Sequence, residues 1–169
     1  MLITGKKSDE FKLGFLTGYQ HSMFDFDMYN LYYPDSGVWL YNDGTKVLTY
    51  QITYDIPYIG LAASIANPVY GLNLSCKYSF WARAHDMDNH LLRGLTFYAD
   101  YDKNGSACMV DINGFWQFAR DWKLRLGAEG TFIRIDGETW EDQRNPGWDG
   151  FQATDARYWI FRTGLEYKF

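Results

Sequence analysis

The feature that most constrains this chain is a period-two alternation of apolar and polar residues over several long segments. In KVLTYQITYDIPYIG, every second residue from Leu48 to Ile56 is apolar or aromatic. The same pattern recurs from Tyr70 to Phe80, from Trp122 to Phe132 and from Trp159 to Phe169. Successive side chains of a β-strand point to opposite faces, so the pattern predicts strands with one apolar and one polar face.

Two further features indicate where the apolar faces point. The chain ends on an aromatic alternation at Phe169, as outer-membrane barrels commonly do. The polar faces also carry charges of both signs in mid-strand, which suits a polar lumen: Lys77, Arg125, Glu129, Arg162 and Glu166. Both features favour an all-β, antiparallel, up-and-down transmembrane β-barrel whose apolar faces meet lipid. The alternative is a soluble ligand-binding barrel, in which the faces of Leu48–Ile56 and Trp159–Phe169 point inward.

One β-barrel domain over residues 1–169 is predicted, and its strands and connections follow from the pattern. Turn chemistry marks NDGT and DKNG, ANP and ARD predict tight connections, and residues 136–155 read as a long polar loop. Bacterial barrels of this kind start at about eight strands. The chain therefore predicts an incomplete barrel that upstream strands or further copies complete. Its six strands are expected near residues 11–25, 46–63, 69–84, 92–117, 122–135 and 156–169.

Composition bears on location and partners. Aromatic residues make up 20% of the chain, and Tyr and Trp suit membrane–water interfaces. The net charge of −5 argues against a nucleic-acid partner and fits basic peptides. The first fifteen residues lack the apolar core of a signal peptide. Cys76 and Cys108 either form one disulfide in an oxidising compartment or serve as small apolar residues on a strand.

A cluster of ionisable residues lies in ARAHDMDNHLLRG, between the third and fourth predicted strands. Asp86, Asp88 and His90 alternate there, and His85 lies beside them. The candidates are a metal site, because imidazole and carboxylate ligate Zn or Mn, a proton-transfer site, and a solvated acidic loop. The spacing lacks the glycine and the late glutamate of a calcium loop, and no metal or cofactor is predicted.

The alternation also makes a geometric demand on this segment. Continued without interruption from Tyr78, it places Asp88 and His90 on the apolar face. A site that faces the interior therefore requires a bulge or a break between about Trp81 and Asp86. Regular pairing throughout, with His90 pointing away from the lumen, would rule out a catalytic role.

Three stretches carry a resemblance to a known family: FKLGFLTGYQHS, YQITYDIPYIGLAAS and KYSFWARAHDMDNH. In this order and spacing they resemble the omptin family of outer-membrane proteases, and the terminal GLEYKF also fits. The resemblance spans about Phe11 to Phe169 but covers only the C-terminal six of the family's ten strands. It implies a bacterial outer-membrane, aspartic-type endopeptidase that cleaves peptide or protein substrates at basic residues.

The resemblance also implies roles for single residues. Asp88 and His90 match the family's Asp–His couple, in which His acts as general base on a water and Asp orients the imidazole. Asp86 matches an acid in the pocket for the substrate's basic residue. The family's second aspartate pair belongs to an N-terminal portion that this chain lacks, which implies half an active site in a truncated form. The alternative is a catalytically inactive barrel with a structural, adhesion or pore role.

One feature of the family does not carry over. The family binds lipopolysaccharide through a Tyr-x-Glu-x-Arg run and further basic residues. The corresponding positions here are Tyr19, His21 and Met23, followed by Thr53 and Asp102. Because the Glu, the Arg and the later basic residues are replaced, the resemblance does not imply lipopolysaccharide binding for this chain.

Overall fold

The structure is a computed structural model that describes residues 10–33, 37–141 and 150–168. The strands form one antiparallel sheet in the order β1-β2-β3-β5-β6-β7, and β4 pairs with β2 and β5 beyond the end of β3. In these ranges no helix is long and apolar enough to cross a membrane. The strands are β1 (Glu10–Tyr33), β2 (Val38–Ala66), β3 (Tyr70–Ser79), β4 (Arg83–His90), β5 (Leu95–Ala119), β6 (Trp122–Glu141) and β7 (Gly150–Tyr167).

The strand predicted near residues 69–84 is two strands, so the expectation of six strands becomes seven. Regular pairing stops at Ser79 and resumes at Arg83. The expected break is therefore confirmed, and it begins one residue earlier than Trp81. Because β4 continues in the sheet position that β3 leaves, the sheet still has six strand positions side by side.

Two expected turns are bulges inside continuous strands. NDGT lies within β2, where Gly44 has a φ of +86° and its amide donates to Asn30 Oδ1 at 2.9 Å. DKNG lies within β5, where Asn104 has a φ of +52° and the register with β6 shifts. Residues with positive φ serve a bulge as well as a turn. These strands continue because β1 stays paired with β2, and β6 with β5, before and after each bulge.

The other connections agree better with the sequence. ANP and ARD mark the tight connections after β2 and β5, as predicted. The loop expected over residues 136–155 is much shorter, because β6 continues to Glu141 and β7 begins at Gly150. The rest of that loop lies outside the described residues.

The alternating apolar residues of β3, β6 and β7 point outward, as a membrane barrel requires. Phe161 on β7 is 78% exposed and Phe15 on β1 is 91% exposed. Such a surface is stable in lipid rather than in water. Phe169 lies outside the described residues. We call the outward residues the apolar band: Phe11, Leu13, Phe15, Ile59, Leu61, Leu72, Leu74, Ile112, Trp116, Leu126, Trp159, Phe161 and Leu165.

Strand β2 changes the face that carries its apolar residues. Ile59 and Leu61 point outward, whereas Ile52, Tyr54 and Ile56 are buried on the inner face. The outward direction expected for Leu48–Ile56 is therefore wrong. The strand extends beyond the apolar band, where the outer face meets water and the inner side chains pack on one another. The change of face near Pro57 marks one edge of the apolar band.

Charged side chains on the inner face pair with one another at the level of the apolar band. Arg162 on β7 binds Glu129 at 2.6 Å and lies 3.6 Å from Asp111 on β5. Arg125 donates two hydrogen bonds to Glu166. The polar lumen predicted from mid-strand charges is confirmed, since carboxylates and guanidinium groups satisfy one another away from lipid.

The sheet curls but does not close. Among the described strands, β1 pairs with β2 alone and β7 pairs with β6 alone. Their inner side chains nevertheless meet: Gln20 Nε2 on β1 donates to the Tyr158 hydroxyl on β7 at 2.8 Å, and Phe24 packs edge-on against the same ring. The structure is thus a strongly curved part of a barrel wall with two open edges.

Candidate functional site

The site is built on β4, and the break before it sets which side chains point inward. Ser79 is buried on the inner face of β3, and after the break Ala82 and Ala84 are buried instead. The inward positions therefore change from odd to even numbers. As a result Asp86, Asp88 and His90 share the inner face of β4.

This part of the sheet lies beyond the apolar band. The outer face of β4 carries Arg83, His85, Met87 and Asn89, and their partners on β2 are mainly polar. Such residues cannot face lipid without a large cost in free energy. The candidate site therefore lies on the inner wall where the barrel extends past the bilayer.

Asp88 and His90 form a couple at the end of β4. His90 Nε2 lies 3.2 Å from Asp88 Oδ2, and both side chains remain about 30% exposed. The His90 ring packs edge-on against Phe97 of β5. Asp88 Oδ1 is buried and has no hydrogen-bond partner among the described residues. A carboxylate at this distance can orient the imidazole and stabilise its charged form.

Asp86 lies deeper, two residues before the couple, and is 6% exposed. Its Oδ2 accepts hydrogen bonds from the hydroxyls of Tyr50 on β2 at 2.9 Å and Tyr101 on β5 at 2.8 Å. Burial raises the pKa of Asp86, and the two tyrosine hydrogen bonds oppose that rise. Through these two hydrogen bonds Asp86 links β2, β4 and β5 next to the Asp–His couple.

Sequence reasoning missed the two tyrosines that hold Asp86. A signal existed for Tyr50, because a tyrosine on an otherwise apolar face usually has a partner for its hydroxyl. Burial is the main cause that raises the pKa of both phenols, and the Asp86 charge adds to it. The hydroxyls therefore stay protonated and keep donating to Asp86.

The other two histidines pair with carboxylates on the outer wall. His85 Nδ1 lies 2.6 Å from Asp100, and His21 Nδ1 lies 2.8 Å from Asp55. Because His85 points away from Asp86, these neighbours in sequence do not converge as metal ligands. Among the described residues, no three His, Cys, Asp or Glu side chains are grouped to hold a metal ion. The loop alternative for this segment is wrong, since it is strand β4.

The positions that correspond to the family's lipopolysaccharide run lie on the outer face of β1. Tyr19 donates to Asp55, which also contacts His21, and Met23 is exposed nearby. A carboxylate in the middle of this group repels phosphate.

The chain is similar in sequence to known outer-membrane proteases. The Omptin family model matches residues 3–167. The plasminogen activator of Yersinia pestis is 35% identical in an alignment that covers 96% of this chain and 55% of that protein. Outer membrane protease IcsP of Shigella flexneri is 29% identical, and the match covers 95% of this chain and 54% of that protein. The chain therefore spans about half the length of these curated relatives.

A solved structure shares the fold. The crystal structure of outer membrane protease OmpT from Escherichia coli superposes with a TM-score of 0.68 at 19% identity. The match covers 94% of this chain and 58% of the OmpT chain. The curved sheet of this chain is thus similar to part of an outer-membrane barrel.

Proposed function

This chain belongs to the omptin family of the bacterial outer membrane, and we propose that it supplies one wall of an endopeptidase site that cleaves peptides at basic residues. The observation that carries the proposal is the Asp88–His90 couple, which faces the interior beyond the apolar band. Because the chain spans about half of its relatives, the activity proposed is that of the complete barrel.

In this mechanism His90 is the general base. An Nε2–H that donates to Asp88 leaves Nδ1 unprotonated and able to take a proton from a water that attacks the peptide carbonyl. Asp88 stabilises the imidazolium that forms.

Asp86 recognises the basic side chain of the substrate in this proposal. It is a buried carboxylate on the same face as the couple, and a guanidinium or ammonium group is a strong partner for such a charge. Tyr50 and Tyr101 hold Asp86 in place through their hydroxyls. The chain's net charge of −5 has the sign that attracts basic peptides.

The test is cleavage of a dibasic peptide by the membrane-inserted protein and its variants. His90→Ala is expected to lower kcat/KM by about 10²–10⁴-fold, the usual contribution of a general base. His85→Ala is the matched control, because it removes a histidine with an equivalent aspartate partner on the outer wall. Equal activity of the two variants would contradict the mechanism.

Substrate recognition has its own readout. Asp86→Asn is expected to lower kcat/KM for a peptide cut at arginine more than for the same peptide with glutamine at that position. Loss of selectivity, rather than loss of rate alone, separates recognition from a structural effect of the substitution.

The alternative function is a catalytically inactive barrel with a structural, adhesion or pore role. The open edges of β1 and β7 favour it, because the described strands alone do not close into a barrel. Folded, membrane-inserted protein without detectable peptidase activity would support this alternative over the protease.

A further inference from the structure

The two oxygens of the Asp86 carboxylate are used unequally. Tyr50 and Tyr101 both donate to the same oxygen, Oδ2, at 2.9 Å and 2.8 Å. Each oxygen of an ionised carboxylate accepts about two strong hydrogen bonds. The two hydroxyls therefore fill Oδ2, whereas Oδ1 accepts no hydrogen bond from the described part of the chain. A ligand that reaches Asp86 thus meets one available oxygen rather than two.

The surroundings of Asp86 are aromatic. Its direct partners across the sheet are Ile52 on β2 and Ala99 on β5. The residues two positions before and after these partners lie on the same inner face. The faces of aromatic rings attract cations, and a tyrosine hydroxyl that donates one hydrogen bond can still accept another. All four of these diagonal neighbours are aromatic: Tyr50, Tyr54, Phe97 and Tyr101.

Lysine and arginine make different demands on such a carboxylate. A guanidinium binds best through two parallel hydrogen bonds, one to each oxygen. At Asp86 this geometry requires one tyrosine hydroxyl to give up Oδ2. An ammonium is a compact point charge, and it needs only Oδ1. Its remaining N–H groups can donate to the hydroxyl oxygens of the tyrosines.

We propose that Asp86 selects lysine over arginine in the substrate, and that Tyr50 and Tyr101 set this preference by filling Oδ2. The inference rests on the proposed role of Asp86 in binding the basic side chain. Burial acts in the same direction, because Asp86 is 6% exposed and Tyr101 is 2% exposed. The half-buried Tyr50 leaves the more open approach, and a compact ammonium enters it more easily than a planar guanidinium.

The test is the binding of two labelled peptides that differ only in lysine or arginine at the recognised position. The amide after that residue is N-methylated, so that the peptides are not cleaved. Fluorescence anisotropy with the folded chain in detergent micelles gives both Kd values. The lysine peptide is expected to bind about tenfold more tightly, because arginine forgoes or displaces one hydrogen bond to a charged group. Equal affinities, tighter binding of the arginine peptide, or no binding of either peptide would overturn the proposal.

Variants of the tyrosines test the cause of the preference. Tyr101→Phe removes one donor to Oδ2 and opens that oxygen to a guanidinium, so the ratio of the two affinities is expected to fall towards one. Tyr50→Phe is expected to act in the same direction at a less buried position, and it keeps the test decisive if Tyr101→Phe does not fold. Tyr98→Phe on the outer wall is the control whose ratio stays unchanged. A tenfold ratio that persists in both Tyr50→Phe and Tyr101→Phe overturns the proposal.

A further variant separates this selectivity from the protease mechanism. His90→Ala removes the proposed general base but leaves Asp86 and its two tyrosines in place. It is expected to lose cleavage and to keep the preference for the lysine peptide. A lysine preference in a protein that cleaves nothing supports the selectivity and contradicts the protease. Cleavage that depends on His90 but shows no lysine preference in binding overturns the selectivity alone.

Discussion

Replacing Tyr101 with phenylalanine is expected to lower the free energy of unfolding by about 2 kcal/mol at neutral pH. The substitution removes one hydroxyl and keeps the ring. Tyr101 is 2% exposed, and its hydroxyl donates to the buried Asp86 at 2.8 Å. A hydrogen bond to a charged group contributes about 1.5–3 kcal/mol. The middle of that range applies because Asp86 keeps its bond from Tyr50.

Tyr50→Phe is expected to destabilise the protein less than Tyr101→Phe does. Tyr50→Phe removes the other donor to Asp86, but Tyr50 is only half-buried, so water can partly replace its hydroxyl. The expected loss is about 1 kcal/mol. Because both variants act on one carboxylate, the double variant is expected to lose more than the sum of the two single losses.

The loss in Tyr101→Phe depends on pH through Asp86. Burial raises the pKa of Asp86 above its ordinary value of 3.8, and the hydrogen bonds from the two tyrosines limit that rise. Removing one donor raises the pKa further. The folded state then holds its proton to higher pH, and stability falls as pH increases from about 3.8 through the folded pKa. The deficit of the variant is therefore small at acid pH and complete at neutral pH.

The measurement is urea unfolding of the protein in detergent micelles or phospholipid vesicles, followed by tryptophan fluorescence at pH 4 and pH 8. Tyr98→Phe is the control, because Tyr98 stacks between His85 and Trp140 on the outer wall. The reasoning is refuted if Tyr101→Phe costs no more than Tyr98→Phe, or if its cost is the same at both pH values.

Two further substitutions probe the wall itself. Gly105→Ala is expected to lower the free energy of unfolding in urea by about 3 kcal/mol, because a Cβ there lies 1.8 Å from the carbonyl oxygen of Ala82. Gly14→Ala is the control that should be tolerated, because nothing lies within 4 Å of its Cβ. Arg162→Ala is expected to lower the free energy of unfolding in the same assay, because it leaves the largely buried Glu129 without its ion partner and removes the cation near Asp111. Arg157→Ala breaks an exposed outer pair and is expected to cost less than about 0.5 kcal/mol; a similar cost for both arginine variants would contradict this account of the lumen.

The candidate site was only partly predictable. The alternate spacing of Asp86, Asp88 and His90 places them on one face of a strand, and the parity of the preceding strand requires a break before them. Both follow from the period of a β-strand alone. The donors to Asp86 do not, since Tyr50 and Tyr101 lie 36 and 15 residues away and meet it only because β2 and β5 flank β4.

By itself, the sequence determined that this chain forms long amphipathic strands, where the tight connections after β2 and β5 lie, and to which family it is similar. The tertiary structure decided which face of each strand points inward. Alternation separates two faces but does not say what each one meets. Along β2 the face that carries the apolar residues changes near Pro57. The apolar residues after Pro57 meet lipid on the outer face, whereas those before it pack in the interior. Likewise, NDGT and DKNG have the chemistry of turns, and only pairing with neighbouring strands made them bulges.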